Sequence, residues 1–228
     1  MSASDTYVVD IETVGQPWSE IDDKTREYLQ GRAPSAAERE AVPRRLGLHP
    51  GTGRIIVIGM LNVTTGSRGL FVEGQHRDWS DGQVEGFKRF DGSEAELLSE
   101  FWKLIAANGR RLVTFNGRMF DIPYLMMRSA LCGVAPTRNF MGSRYNLSHH
   151  VDLAEVLSFQ GAVRTNFSLD YWCRRFGIDS PKDGIDGSQV QQVYEEGGIE
   201  RIAEYCARDV VATAELFAKL DATILRLF

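Results

Sequence analysis

The chain has 228 residues, 43% of them hydrophobic and 25% charged, a composition that excludes wholesale disorder and suffices for one α/β core. Its net charge of −5 speaks against a polyanion-binding surface made of Lys and Arg alone, although carboxylates gathered around metal ions would make the charge look more negative than a phosphate substrate feels. Cys132, Cys173 and Cys206 lie far apart with no CxxC pair and are expected to be buried small hydrophobes rather than a disulfide framework. No basic stretch leads into an apolar run, and no run approaches the roughly 20 apolar residues of a membrane span, so a cytoplasmic protein is expected.

Residues 6–14, TYVVDIETV, read as a buried strand ended by Gly15 and Pro17. Residues 16–50 are far longer than a hairpin needs and hold Pro34, Pro43, Pro50 and one helical pattern around IDDKTREYLQ. This insertion is expected to be either a lid or channel wall, or a decorative loop, and the sequence leaves both open. RIIVIGMLNV (54–63) and RGLFVEG then form an antiparallel pair around TTGS. Ser93 and Glu96 have capping-box spacing ahead of Leu97, Leu98, Phe101, Leu104 and Ile105, which predicts a helix. RLVTFNG (111–117) is a fourth strand, followed by a helix from about Ile122 to Leu131 with Pro123 in its first turn. HHVDLAEVL holds a fifth strand, SLDYWCRRFG a short helix closed by Gly177, and a long amphipathic helix runs from about Ile199 to Leu220 after Gly197-Gly198.

Acidic residues interrupt the apolar pattern at four places. Asp10 and Glu12 are two apart on a strand, so both leave one face while Val9 and Ile11 turn to the other; alone, the pair fits a solvated strand face as well as a metal site. Asp121 follows the fourth strand at the mouth of a βα connection, where helix capping explains it equally well. Tyr205 and Asp209, four apart on the terminal helix, stack on one side, and an Asp turned inward there needs a partner such as a cation. Asp152, in HHVDL, is a fifth acid in a strand context, and His149 and His150 diverge too much as neighbours to share zinc. Arg118, Arg138, Arg144, Arg164 and Lys182 near the motif loops suit phosphates only if they cluster.

Taken in order, DIE on a first strand, FNGRMFDIPYL after a later strand and YCARDVVAT on a terminal helix resemble the DEDD superfamily of 3′-5′ exonucleases, in its tyrosine subclass. HVDLAEVL, SLDYWCRRFGI, PKDGIDGSQV and GGIERIAEYCARDVVATAELF look most like a stand-alone group of predicted exonucleases related to the proofreading domain of family-B DNA polymerases. The resemblance covers nearly the whole chain, with no polymerase portion. It implies a ribonuclease H-like fold, read here as one domain over residues 1–228 with a mixed five-stranded sheet flanked by helices and the insertion at about 16–50. It further implies that Asp10, Glu12, Asp121 and Asp209 hold two divalent metal ions, Mg²⁺ or Mn²⁺. Tyr205 would orient a water, since a phenol with a pKa near 10 is a poor base at neutral pH. Asn116 and Phe120 match the family's second motif, which implies for Asn116 either contact with the terminal nucleotide or bracing of the site, and for Phe120 packing against either a base or the core. The implied substrate is a single-stranded DNA 3′ end, with RNA as the alternative, because one sequence does not say whether the site accepts a 2′-hydroxyl. A non-catalytic nucleic-acid-binding module is the rival of another class, and it is disfavoured because all four acids are present.

Overall fold

The computed structural model describes residues 5–75, 79–81, 84–106, 110–164, 167–180 and 184–227, with Trp79 described by its backbone alone. Strands β1 (Thr6–Gly15) and β2 (Gly53–Asn62) run antiparallel, and β3 (Arg68–Glu73) continues the meander on β2. Strands β4 (Trp79–Asp81) and β5 (Lys88–Gly92) extend the sheet past β3, while β6 (Arg111–Thr114) and β7 (His150–Asp152) lie parallel to β1 on its other side. Among the described residues the order is β4-β5-β3-β2-β1-β6-β7. All five expected strands are present, contiguous as β3-β2-β1-β6-β7. The count is corrected to seven because β4 and β5 come from WSD and KRFDG, segments too short and polar to show a two-residue alternation. The fourth strand is also shorter than the pattern suggested, ending at Thr114, because Asn116 turns to φ 62 and leaves the extended region.

Helices cover both faces, which makes this the mixed α/β arrangement of the ribonuclease H-like class. On one face lie α3 (Glu94–Ile105), opened by the Ser93–Glu96 capping box, and α4 (Asp121–Leu131). Their Leu97, Phe101, Trp102, Tyr124 and Leu125 pack on Val9, Ile11, Ile55 and Ile58. Across the sheet lie α5 (Leu153–Leu157), α6 (Leu169–Phe176), α7 (Val190–Glu195) and α8 (Ile199–Asp221). Ser168 caps α6 by accepting the Tyr171 N–H, and Gly177 closes it at φ 66. Val8 joins α8 residues such as Val210 and Leu216 in one cluster, and Val14 joins Ile202 and Cys206 in another. The alternation of β1 therefore assigns positions 8, 10, 12 and 14 to the α8 face, which puts both of its acids beneath the terminal helix.

Residues 16–50 hold α1 (Asp23–Gly31), α2 (Ala36–Ala41) and a 3₁₀ turn, Pro43–Leu48. The turn is fastened to the sheet through Gly47, whose carbonyl accepts from Thr13 Oγ1 at 2.7 Å and from the Tyr124 hydroxyl at 3.0 Å. Among the described residues no helix is long and apolar enough to cross a membrane.

Candidate active site

The site forms where β1 outruns its neighbour. β6 pairs only with Thr6–Val8, so beyond Val8 one edge of β1 is left without a strand partner there. The Asp121 carboxylate fills that gap and accepts from the backbone N–H of Ile11. On the opposite edge, pairing with β2 shifts register directly after Glu12, since Glu12 opposes Val57 while Thr13 opposes Ile55. An irregularity of this kind bends and twists a strand, and it re-aims the side chains beside it. The extra residue, Ile56, belongs to β2, so the β1 acids lie opposite a bulged stretch of that strand rather than along a uniform ladder.

From above, α8 brings in Tyr205, Cys206 and Asp209. Its approach depends on Gly59, the register partner of Asp10. A Cβ at position 59 would stand 2.8 Å from Cys206 Sγ and 2.8 Å from Val210 Cγ2, so only glycine lets the helix sit this low. Ligand atoms of Asp10, Glu12 and Cys206 lie within 4.8 Å of one another, and Cys206 Sγ donates to the Asp10 carbonyl oxygen at 3.6 Å. Cys206 is the site neighbour that the sequence reading missed: buried as expected for a small hydrophobe, it nonetheless faces the acids. Its position three residues before Asp209 was the available signal.

The four acids act on one another's protonation. Withdrawal from water raises the Asp10 carboxyl well above its usual range, and Asp209, Glu12 and Asp121 add to it in that order. Burial likewise raises Glu12, reinforced by Asp209 and Asp121. Asp121 is pushed up to about 7, chiefly by burial and further by Asp152 and Asp209, against the backbone N–H groups that it accepts. Asp209 thus lies within electrostatic reach of all three other acids, and the structure brings the sequence-predicted quartet together. Glu12 and Asp121 are buried, whereas Asp10 and Asp209 keep part of their surface in solvent, which gives the cluster an open side. The Tyr205 phenol is also buried and donates to Asp209; burial and the nearby carboxylates push its pKa upward, so it holds its proton at neutral pH.

Asp121 is not the helix cap that its position allowed. Phe120 occupies the N-cap of α4, without a side-chain cap bond, and Asp121 is the first residue of the helix. Phe120 is half-buried and packs on the α4 core, its ring 5.3 Å from that of Tyr124, while Asn116 is exposed in a left-handed conformation. The turn between them is held from below by Asp152, 2% exposed. Its carboxylate accepts the N–H of Asn116 and of Arg118, both at 2.9 Å, and also caps α5 through Ala154 and Glu155. Gly117 closes the turn against Thr114, where a Cβ would come within 2.3 Å of Oγ1. Thr114 Oγ1 is in turn 2.8 Å from Nε2 of buried His150, which burial keeps neutral by lowering its pKa to about 3. Asp152 and His150 therefore brace the turn that delivers Asp121.

The basic residues do not gather into one phosphate-binding cluster. Arg118 donates to Glu155 and to the Gly142 carbonyl, each at 2.9 Å, and Arg144 meets the same Glu155. Arg138 contacts His149 at 3.3 Å, Arg164 is exposed, and Lys182 lies outside the described residues. The donors at the cluster itself are carboxylate oxygens, with one thiol and one phenol beside them. Hard oxygen donors of this kind suit Mg²⁺ or Mn²⁺. Among the described residues no Lys or Arg side chain pairs with Asp10, Glu12 or Asp121, so a bound cation fits as the charge that offsets their repulsion.

Comparison with known proteins matches residues 70–226 to a family described as predicted 3′-5′ exonucleases related to the exonuclease domain of PolB. That span contains Asp121, Tyr205 and Asp209; Asp10 and Glu12 precede it. An uncharacterized protein of Methanocaldococcus jannaschii is 30% identical over 182 residues, covering 75% of this chain and 88% of that protein. A DNA polymerase of Pyrococcus glycovorans is 29% identical over 156 residues, 59% of this chain and 20% of the polymerase. DNA polymerase 1 of Saccharolobus solfataricus is 26% identical over 208 residues, 86% of this chain and 22% of that protein. The chain thus spans about a fifth of the length of the polymerases that it matches.

Proposed function

This chain belongs to the family of predicted 3′-5′ exonucleases related to the exonuclease domain of PolB, and from that premise we propose that it removes nucleoside monophosphates one at a time from the 3′ end of single-stranded DNA. The observation that carries the proposal is the mutual electrostatic contact of Asp10, Glu12, Asp121 and Asp209, four acids drawn from β1, α4 and α8. Family membership speaks for the reaction class, and the relatives named DNA polymerases favour DNA over RNA as substrate.

In this reading Asp10, Glu12, Asp121 and Asp209 would hold two divalent metal ions, Mg²⁺ or Mn²⁺, which when bound would supply positive charge to offset that of the phosphate. The other steps belong to this chain's own groups. Tyr205 keeps its proton throughout and hydrogen-bonds the attacking water, so it orients that water and does not act as a base. Asp209, which accepts from the Tyr205 hydroxyl, fixes the direction of the phenol. Asn116, exposed on its left-handed turn, offers an amide to the terminal nucleotide, and the half-buried ring of Phe120 offers an apolar face to its base. The water oxygen bonds to phosphorus as the P–O3′ bond breaks, and the proton that the water gives up is matched by the one the departing 3′-oxygen takes up from solvent, leaving a nucleoside 5′-monophosphate and a strand shortened by one with a new 3′-hydroxyl.

The test is incubation of 5′-labelled single-stranded DNA and RNA with Mn²⁺ or Mg²⁺, and again with chelator. A ladder of shortened 5′-labelled products that vanishes with chelator is expected, stronger on DNA. Intact strands under all conditions would refute the proposal, and a ladder on RNA alone would transfer it to an exoribonuclease.

A further inference from the structure

The insertion between β1 and β2 encloses a cleft of about 810 Å³ between α1, α2 and the Pro43–Leu48 turn, a size within the upper range of ligand sites. Its walls carry one aromatic ring and an excess of basic groups. Tyr28 is 61% exposed, and the Arg32 guanidinium lies over its ring at 5.5 Å while donating to its hydroxyl at 2.9 Å. Arg45 and His49 also line the cleft and are exposed, and among the described residues no carboxylate is ion-paired with Arg45. Glu38 is the one acid among the described lining residues. Its Oε2 is occupied by its own helix cap, accepting from Ser35 N at 3.1 Å and Ser35 Oγ at 2.8 Å.

The cleft is also tied in place relative to the acids. Its lining includes Leu46, which is seated directly on Gly15; a Cβ on Gly15 would come within 2.6 Å of Leu46 Cβ. Gly15 is three residues beyond Glu12 on the same strand, which at the usual rise places it about 10 Å further along.

We infer that this cleft holds the single-stranded nucleic acid upstream of the reacting 3′ end, with a base stacked on Tyr28 and phosphates against Arg32 and Arg45; this rests on the exonuclease reading above. An exposed ring flanked by cations is the combination that binds single strands without regard to sequence, the ring taking any base and the cations following the backbone. A surface for a second copy of the chain or for a neutral peptide would have no use for uncompensated guanidinium groups. The inference decides between the two roles left open for residues 16–50 in favour of a channel wall.

The experiment measures binding and turnover separately. Binding of a fluorescent 12-nucleotide single strand is followed by anisotropy in chelator for the full chain and for Tyr28→Ala and Arg45→Ala. Tyr28→Ala is expected to weaken binding about tenfold, within the range for losing one base–aromatic stack, and Arg45→Ala to lower the slope of affinity against salt by about one. In Mn²⁺, turnover of the 12-mer relative to a dinucleotide, which offers the cleft far less strand, should fall by a similar factor in both variants. Unchanged affinity and an unchanged ratio in both would overturn the inference. If the unaltered chain cleaves neither substrate, the exonuclease reading fails, and the anisotropy arm still decides whether the cleft binds a strand.

Discussion

The crowding of the four acids makes a prediction about the metal-free protein, best seen at Asp121. Its carboxyl is raised from 3.8 to about 7, first by burial and then by Asp152 and Asp209. A carboxyl with a raised folded pKa holds its proton more tightly in the native state, so its contribution to stability is greatest below about pH 4 and is lost as pH rises through about 7. The interval between 3.8 and about 7 corresponds to on the order of 4 kcal/mol of destabilisation at pH 8 in the absence of cations. Asp121→Asn removes that charge while its amide oxygen still accepts from the Ile11 N–H. In chelator at pH 8 the variant should therefore melt above the unaltered chain, by at most about 8–16 °C at 2–4 °C per kcal/mol for a chain of this size. The gap should shrink toward zero by about pH 4.5. With Mn²⁺ in excess the order should reverse, because only the unaltered chain retains the full ligand set and gains stability by mass action. Melting curves from pH 4.5 to 8.5, with chelator and with Mn²⁺, contain the whole test. A variant that melts at or below the unaltered chain at pH 8 in chelator would refute the crowding, and with it the case for a cation.

Asp209→Ala, which removes the acid that acts electrostatically on the other three, should reduce nucleotide release by more than about 100-fold, beyond the range for groups that merely support a metal ligand, while the protein remains folded; single-turnover cleavage and circular dichroism check both halves. Mn²⁺ binding at pH 6 should release roughly one proton or more, since Asp121 must ionise to bind, and calorimetry in buffers of different ionisation enthalpy counts it; no release would place Asp121 outside the ligand set. Gly59→Ala should cost about 1–3 kcal/mol through overpacking against Cys206 and Val210, read as a lower Tm, and should weaken Mn²⁺ binding by lifting α8. Asp152→Asn replaces an acceptor facing two N–H groups by an amide that satisfies them only in part, at a cost of about 1–3 kcal/mol; its cleavage rate should fall with Tm, whereas a rate loss without any change in melting would contradict a bracing role.

Much of the fold was legible because its signals are local. The capping box at Ser93, the left-handed Gly177 and the apolar periodicity of α8 each act within a turn or two of chain, and each element stands where those signals put it. The strands β4 and β5 were not legible. Their stability comes from pairing with β3 and with each other, a contribution from partners distant in the chain that leaves no periodic trace in segments of three and five residues.

The acids were legible as residue types long before their arrangement was, and the reason lies in what sets it. Nothing in the DIE segment announces that β1 outlasts β6, or that the register slips after Glu12; the first follows from how far β6 extends and the second from an extra residue, Ile56, in β2. The turn that carries Asp121 is shaped by Asp152, 31 residues later, whose carboxylate takes the N–H groups of Asn116 and Arg118. In the sequence Asp152 is visible only as a fifth acid in a strand context, because charge type can be read there and hydrogen-bond partners cannot. Gly59 carries the same lesson. In GMLNV it is an unremarked interruption of an apolar run, yet the space where its Cβ would stand is what admits Cys206 and Val210. Lowering the helix by that much brings Asp209 to Asp10, so the closeness of two carboxylates that repel each other is secured by a residue with no side chain.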